Sequence, residues 1–311
     1  MKKLTSLLLF FCLFCIQQLQ AFVPPADTIP FEIRADHRIY VTVCLNGDTS
    51  SPLTFLFDTG ATDIVLNASL PEVLQKAKFT ETISNHGATS TEVIPATRPD
   101  QRLQMGRSSV DSLRFIAIPY PPTAWDGVLG LSFMKHFDVA INYDRKEIYL
   151  YPLGGAPIEK HPGWTFTYRA GVPILEVEVT INKKQYPLQV ELDSGSDRVL
   201  DINTPFVHAH QLRGTLPVFA ISTISGTSNQ QGRLENVCFD EVRIGDTVFP
   251  LLPGAFSTLT QGLQATAEWD GVIGNQLLQR FNQIWDFANR RVYLTVNHRF
   301  YTPFYDFLIA R

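Results

Sequence analysis

The 311-residue sequence predicts a mainly β protein made of two homologous lobes. Three observations predict it. Asp58-Thr59-Gly60 recurs as Asp193-Ser194-Gly195. Each copy is followed downstream by Trp-Asp-Gly-Val-(Leu/Ile)-Gly, at residues 125–130 and 269–274. Each is preceded by alternating apolar residues that read as a β-hairpin. Self-similarity over this length marks a duplicated structural unit, and a shared sheet is one way to join the two copies.

Residues 1–21 read as a signal peptide. Lys2 and Lys3 form a positive n-region, residues 7–16 are an apolar run too short to span a bilayer, and Ala21 places a small residue at the cut. The alternatives are a lipoprotein signal acylated at Cys15, preceded by Cys12-Leu13-Phe14 rather than small residues, and an uncleaved anchor. Cleavage leaves Cys44 and Cys238, one in each lobe, which read as unpaired, buried thiols acting as small hydrophobes.

The first lobe covers residues 22–153. Ile39, Val41, Val43 and Leu45 alternate with other residues, Asn46-Gly47-Asp48 turns the chain, and Leu53, Phe55 and Phe57 run into Asp58. A short helix is expected over 70–78, with Pro71 in its first turn, and another over 131–137. Leu103-Gln104-Met105-Gly106 reads as strand then turn, with Val110 in the returning strand. Residues 152–163, rich in Pro and Gly, read as a linker.

The second lobe covers residues 154–311 and repeats the pattern. Leu175, Val177, Val179 and Ile181 lead to Asn182-Lys183-Lys184, then Leu188, Val190 and Leu192 run into Asp193. Val242-Arg243-Ile244-Gly245 matches the strand and turn of lobe one, with Val248 returning. A helix is expected over 276–281. The tail over 297–311 lies outside the repeat, and its Phe300, Tyr301, Phe304, Tyr305 and Phe307 read as packing aromatics.

Composition narrows the function. With 45% hydrophobic and 18% charged residues the chain is globular rather than disordered, and a net charge of −4 gives no electrostatic basis for binding nucleic acid. His208 and His210, two apart, would share one face of a strand but have no third ligand in sequence, so no metal or other cofactor is expected. No Gly-x-Ser-x-Gly elbow or Walker loop is present.

The duplicated Asp suits one chemistry. Two like carboxylates about 3 Å apart cannot both ionise, so the pair holds one proton: the ionised member takes a proton from water and the protonated member polarises a carbonyl. Neither metal nor covalent intermediate is needed, and neither Asp can be assigned as acid or base. Gly60 and Gly195 would let the backbone turn tightly and bring amides to the carboxylates. Thr59 and Ser194 supply hydroxyls that can lock the two loops together. Asp126 and Asp270 read as structural acceptors within their loops.

With these motifs the chain resembles the aspartic protease superfamily, in the pepsin-like and retropepsin-like branches, over about residues 39–294. The resemblance implies two β-barrel lobes with an active-site cleft between them. It implies Asp58 and Asp193 as catalytic residues, Thr59, Gly60, Ser194 and Gly195 as their support, and a peptide or protein substrate. Because one chain carries both lobes, an exported monomer without a stable membrane span is expected, in the periplasm or secreted. The alternative is a catalytically silent binding or inhibitor protein of the same fold. Two positions depart from the family's pattern. Asp197 stands where Ser or Thr is usual and either raises the pair's proton affinity or points to solvent; Ala61 replaces a frequent Ser, removing a hydroxyl from one carboxylate, and activity at mildly acidic pH is expected. Flap candidates are Asn85-His86-Gly87 and Ser225-Gly226-Thr227, with no flap tyrosine evident.

Overall fold

The computed structural model describes residues 23–87, 91–158, 163–225 and 231–304. The expected signal peptide, including Cys15, therefore lies outside the described residues, as do Gly226-Thr227 of the second flap candidate and Tyr305 and Phe307 of the tail.

Three sheets account for the chain. In lobe two, Val172–Ile181, Lys184–Asp193, Gly271–Gly274, Leu200–Ile202, Thr247–Ser257 and Gln231–Ile244 follow one another, and Gln231–Ile244 pairs back onto Val172–Ile181. Six strands thus close into a barrel and leave no open edge among themselves. Lobe one repeats the path through Ile39–Leu45, Asp48–Phe57, Gly127–Leu129, Ile64–Asn67 and Phe115–Ile118. Here the counterpart of the long strand is split into Thr91–Thr97 and Gln101–Met105, flanking Pro99, which cannot donate to a ladder, and the sheet is a half-barrel.

The third sheet joins the lobes. Its order is Asp27–Pro30, Glu147–Tyr151, Asp138–Asn142, Phe281–Asp286, Arg291–Val296 and Trp164–Thr165. At its centre Val139 pairs with Trp285, Ala140 with Ile284 and Ile141 with Gln283. Ala140 and Ile284 are equivalent positions of the repeat, so the two copies meet symmetrically about that pair. The flanking strands Glu147–Tyr151 and Arg291–Val296 are equivalent too. An apolar cluster continuous from Ile29 to Leu294 packs both lobes onto this sheet, which fixes the angle at which their loops meet.

The hairpins before each Asp form as expected. The helices are shorter than expected: Pro71–Leu74, Leu131–Met134 and Asn275–Leu278 are single turns. His208 lies on the short helix Thr204–Ala209, and His210 follows at its C-cap, rather than on a strand. The His210 ring packs on Phe206 and Tyr186, with centroids 4.2 and 5.3 Å away. Cys238 is exposed rather than buried; Cys44 is half-buried, and both are free.

The described part of the tail packs through Phe300 and Phe304, whereas Tyr301, expected to pack, is 88% exposed. The buried Arg280 guanidinium donates to the carbonyls of Arg299 at 2.6 Å and Thr302 at 2.8 Å, with the Phe304 ring 3.6 Å from its carbon. Phe300 stacks on Phe249 at 5.0 Å. Among the described residues, no helix is long and apolar enough to cross a membrane.

Candidate active site

Each duplicated Asp leaves the end of a strand held on both sides. Asp48–Phe57 pairs in parallel with Gly127–Leu129, and Lys184–Asp193 with Gly271–Gly274. The Asp58 amide donates to the Leu129 carbonyl at 3.0 Å. Beneath, the loops repeat bond for bond. The Thr54 amide donates to Asp126 at 2.7 Å and the Gln189 amide to Asp270 at 2.8 Å. Asn67 and Asn203 each donate to the carbonyl of the Trp before that Asp, at 2.9 and 3.0 Å. Asp126 and Asp270 are therefore structural acceptors.

The two Asp-hydroxyl-Gly turns meet between the lobes. The Thr59 amide donates to Ser194 Oγ at 3.0 Å and the Ser194 amide to Thr59 Oγ1 at 3.0 Å. The Thr59 hydroxyl donates to the Leu192 carbonyl at 2.7 Å and the Ser194 hydroxyl to the Phe57 carbonyl at 2.9 Å. Both residues are fully buried. Four reciprocal bonds thus cross the interface, and each hydroxyl acts as donor and acceptor at once.

This lock brings Asp58 and Asp193 side by side, with a hydrogen bond between their carboxyls. The Gly60 amide donates to Asp58 and the Gly195 amide to Asp193, both at 2.8 Å, and the Ser196 amide adds a bond to Asp193 at 3.0 Å. The glycines are needed for space rather than for an unusual backbone angle: neither has a positive φ. A Cβ at Gly60 would lie 2.6 Å from Asp193 Cγ, and one at Gly195 would run into the Asp58 carboxyl. Each glycine makes room for the other lobe's acid.

The electrostatics are those of one half-buried pair. Burial raises Asp58 above the usual carboxylate range, opposed by the bond from Asp193, the Gly60 and Ala61 amides and the Arg38 charge. Asp193 is raised well above that range by burial first, then by Asp58 and a third acid, Glu191. The pair titrates as a unit. The Ala61 backbone amide supports Asp58 where the missing hydroxyl would have. Asp197 is half exposed, and its Oδ2 lies 3.4 Å from Arg38 in an ion pair between the lobes.

Both acids line a cleft of about 370 Å3. Val65, Ile116, Ile118 and Val128 form an apolar wall on the lobe-one side. The hairpin of Phe79–His86 and Thr91–Thr97 overhangs it, so the flap candidate at 85–87 lies against the cleft, and the Gly87 carbonyl accepts from the Leu263 amide of lobe two at 3.0 Å. Three residues went unread in the sequence. Tyr120 lines the cleft and its ring packs 5.1 Å from Trp125. Arg38 reaches the pair from the start of the Ile39–Leu45 strand. Glu191, 2% exposed, lines the cleft and is raised to about 8, by burial first and then by Asp58. Strand alternation carried the signal for Glu191: an acid two residues before Asp193 must share its face.

Residues 41–133 match the aspartyl protease family model. The matched segment holds Asp58, Thr59, Gly60, the flap hairpin and the loop that supports them. A comparison with curated proteins finds no match.

Proposed function

We propose, taking the chain as a member of the aspartic protease superfamily, that it is an exported aspartic endopeptidase whose dyad is Asp58 and Asp193. The observation that carries the reading is the meeting, in one cleft, of two half-buried carboxyls that hydrogen-bond to each other and are both held above the ordinary range. In that state the pair holds one proton. A water between the carboxyls gives a proton to the ionised one as its oxygen attacks the scissile carbonyl carbon, and the protonated one gives its proton to the carbonyl oxygen. The tetrahedral diol collapses, the C–N bond breaks, the amine takes a proton, and the dyad returns with one proton. No cofactor enters these steps.

The Thr59–Ser194 lock supports the reading by holding the acids before substrate arrives, which preorganises the charge. The dyad forms within one chain, so a monomer suffices. Export rests on residues 1–21, with acylation at Cys15 as the variant form. The raised pair places the active range at mildly acidic pH; burial is the first cause at both acids, and Asp58 and then Glu191 add to it at Asp193.

The test is cleavage of a diverse peptide library by the mature chain from acidic to neutral pH, beside Asp58→Asn and Asp193→Asn. Loss of about 10²–10⁴-fold in each variant is expected. Cleavage that survives in either variant overturns the dyad. A folded wild type that cleaves nothing but retains peptides supports the silent binding protein instead.

A further inference from the structure

We infer that Glu191 makes the lobe-two side of the cleft a subsite for a cationic side chain, lysine or arginine, next to the scissile peptide bond; this rests on the peptide-cleft reading above. In Lys184–Asp193 the side chains of Leu188, Val190 and Leu192 are buried in the barrel, while Gln189, Glu191 and Asp193 share the opposite face. Glu191 is therefore held beside the dyad and lines the same cavity as Asp58 and Asp193.

A buried carboxyl is costly unless something satisfies it. Among the described residues Glu191 has no hydrogen-bond donor and no cation; its electrostatic neighbours are Asp58 and Asp193, both acids. Asp63 also lines the cavity, and none of the described lining residues is Lys or Arg. The missing counter-charge is thus left for a ligand to bring. Before substrate arrives, burial keeps Glu191 protonated at mildly acidic pH; an arriving ammonium or guanidinium group favours its charged form, the proton leaves to solvent, and a charge-assisted hydrogen bond forms in a site screened from water. The opposite wall, with Val65, Ile116, Ile118 and Val128, suits an apolar side chain. The substrate class is a peptide with Lys or Arg on one side of the cleaved bond and an apolar residue on the other.

The experiment uses peptides of one sequence carrying lysine, arginine or norleucine at each position flanking the cleaved bond. Norleucine keeps the aliphatic stem and lacks the charge. In the wild type kcat/KM is expected to favour the lysine or arginine peptide by about tenfold or more. Glu191→Gln loses that preference and Glu191→Leu reverses it, read within each variant as the ratio of kcat/KM for the lysine peptide over the norleucine peptide, which a general change in activity leaves unmoved. A preference for norleucine in the wild type, or a basic preference that Glu191→Leu leaves in place, overturns the subsite and leaves the protease reading standing. If the wild type cleaves no peptide, that reading fails, and calorimetric binding of the same peptides decides the subsite. A lysine advantage removed by Glu191→Leu supports it, and no lysine advantage overturns it.

Discussion

At the dyad the two lobes are alike; two residues upstream they part. Leu56 pairs with Val128 and Tyr40 in lobe one, and Glu191 pairs with Val272 and Ile174 at the same positions in lobe two. Leu56 is packed in an apolar cluster with Tyr40, Val65 and Val128 and does not line the cleft, whereas Glu191 does. The turns are constrained by each other: each hydroxyl bonds the other loop and each glycine faces the other acid, so neither can drift alone. The position two residues earlier is constrained only by what lies over it. The repeat thus keeps the Asp-hydroxyl-Gly turn alike in both lobes and leaves its surroundings free to differ.

Exchanging that one position tests the comparison most severely. Leu56→Glu would bury an acid in a packed apolar cluster with no cleft to receive it, and is expected to cost about 4 kcal/mol or more. Glu191→Leu removes an unsatisfied acid and is expected to stabilise the protein above neutral pH. Urea unfolding at pH 8 measures both. A tolerated Leu56→Glu would mean that the two faces are interchangeable after all.

The pH dependence of stability is the next largest effect. Glu191 has an ordinary value near 4.5 in the unfolded chain and is raised to about 8 in the fold. A raised carboxyl favours the fold while protonated. Its contribution is therefore fully present below about pH 4.5 and is lost as pH rises towards 8, by about 1.4 kcal/mol for each pH unit in which only the unfolded chain is ionised. Asp58, Asp193 and the buried Asp201 are raised as well and act in the same direction. The melting temperature should fall between those pH values, and Glu191→Gln should flatten part of the fall. An unchanged slope in that variant would show that Glu191 is ionised in the folded protein.

The lock between the lobes should cost less when broken. Thr59→Val or Ser194→Ala removes a hydroxyl and leaves a buried amide and carbonyl unpaired, at about 1–3 kcal/mol each. The double variant should cost less than the two together, because all four bonds span one interface and the first loss already loosens the loops that the second would unpair. Additive losses by urea unfolding would mean the two hydroxyls act separately.

The parts of the fold legible in sequence were those with a local cause. Period-two alternation located both hairpins, and the recurrence of Trp125-Asp126 as Trp269-Asp270 located the supporting loops. The strand Asp27–Pro30 was not legible, because only its pairing with Glu147–Tyr151, far along the chain, makes it a strand. The glycines of the dyad were legible but their reason was not: space for an acid from the other lobe has no local signature. For Asp197 the sequence left two readings, an acid acting on the dyad or one pointing to solvent, because nearness in sequence does not show what it faces. Its partner, Arg38, is 159 positions away.

That pair supplies the smallest and most discriminating test. Arg38 lies close enough to Asp58 to favour its charged form, and Asp197 is not among the largest influences on Asp58 or Asp193. The guanidinium is held by Asp197 on one side and Asp36, 3.8 Å away, on the other, over the Trp125 ring. Arg38→Gln removes the only cation acting on the dyad among the described residues, and the acidic limb of the cleavage profile should move to higher pH. Asp197→Asn leaves that cation anchored by Asp36, and the limb should stay. With Asp197 half exposed, the pair itself contributes little to stability, about 0–1 kcal/mol, so Asp197→Asn should melt close to the wild type. An equal shift of the limb in both variants would mean that Asp197 reaches the dyad through Arg38, and that the lobes communicate by charge as well as through the hydroxyl lock.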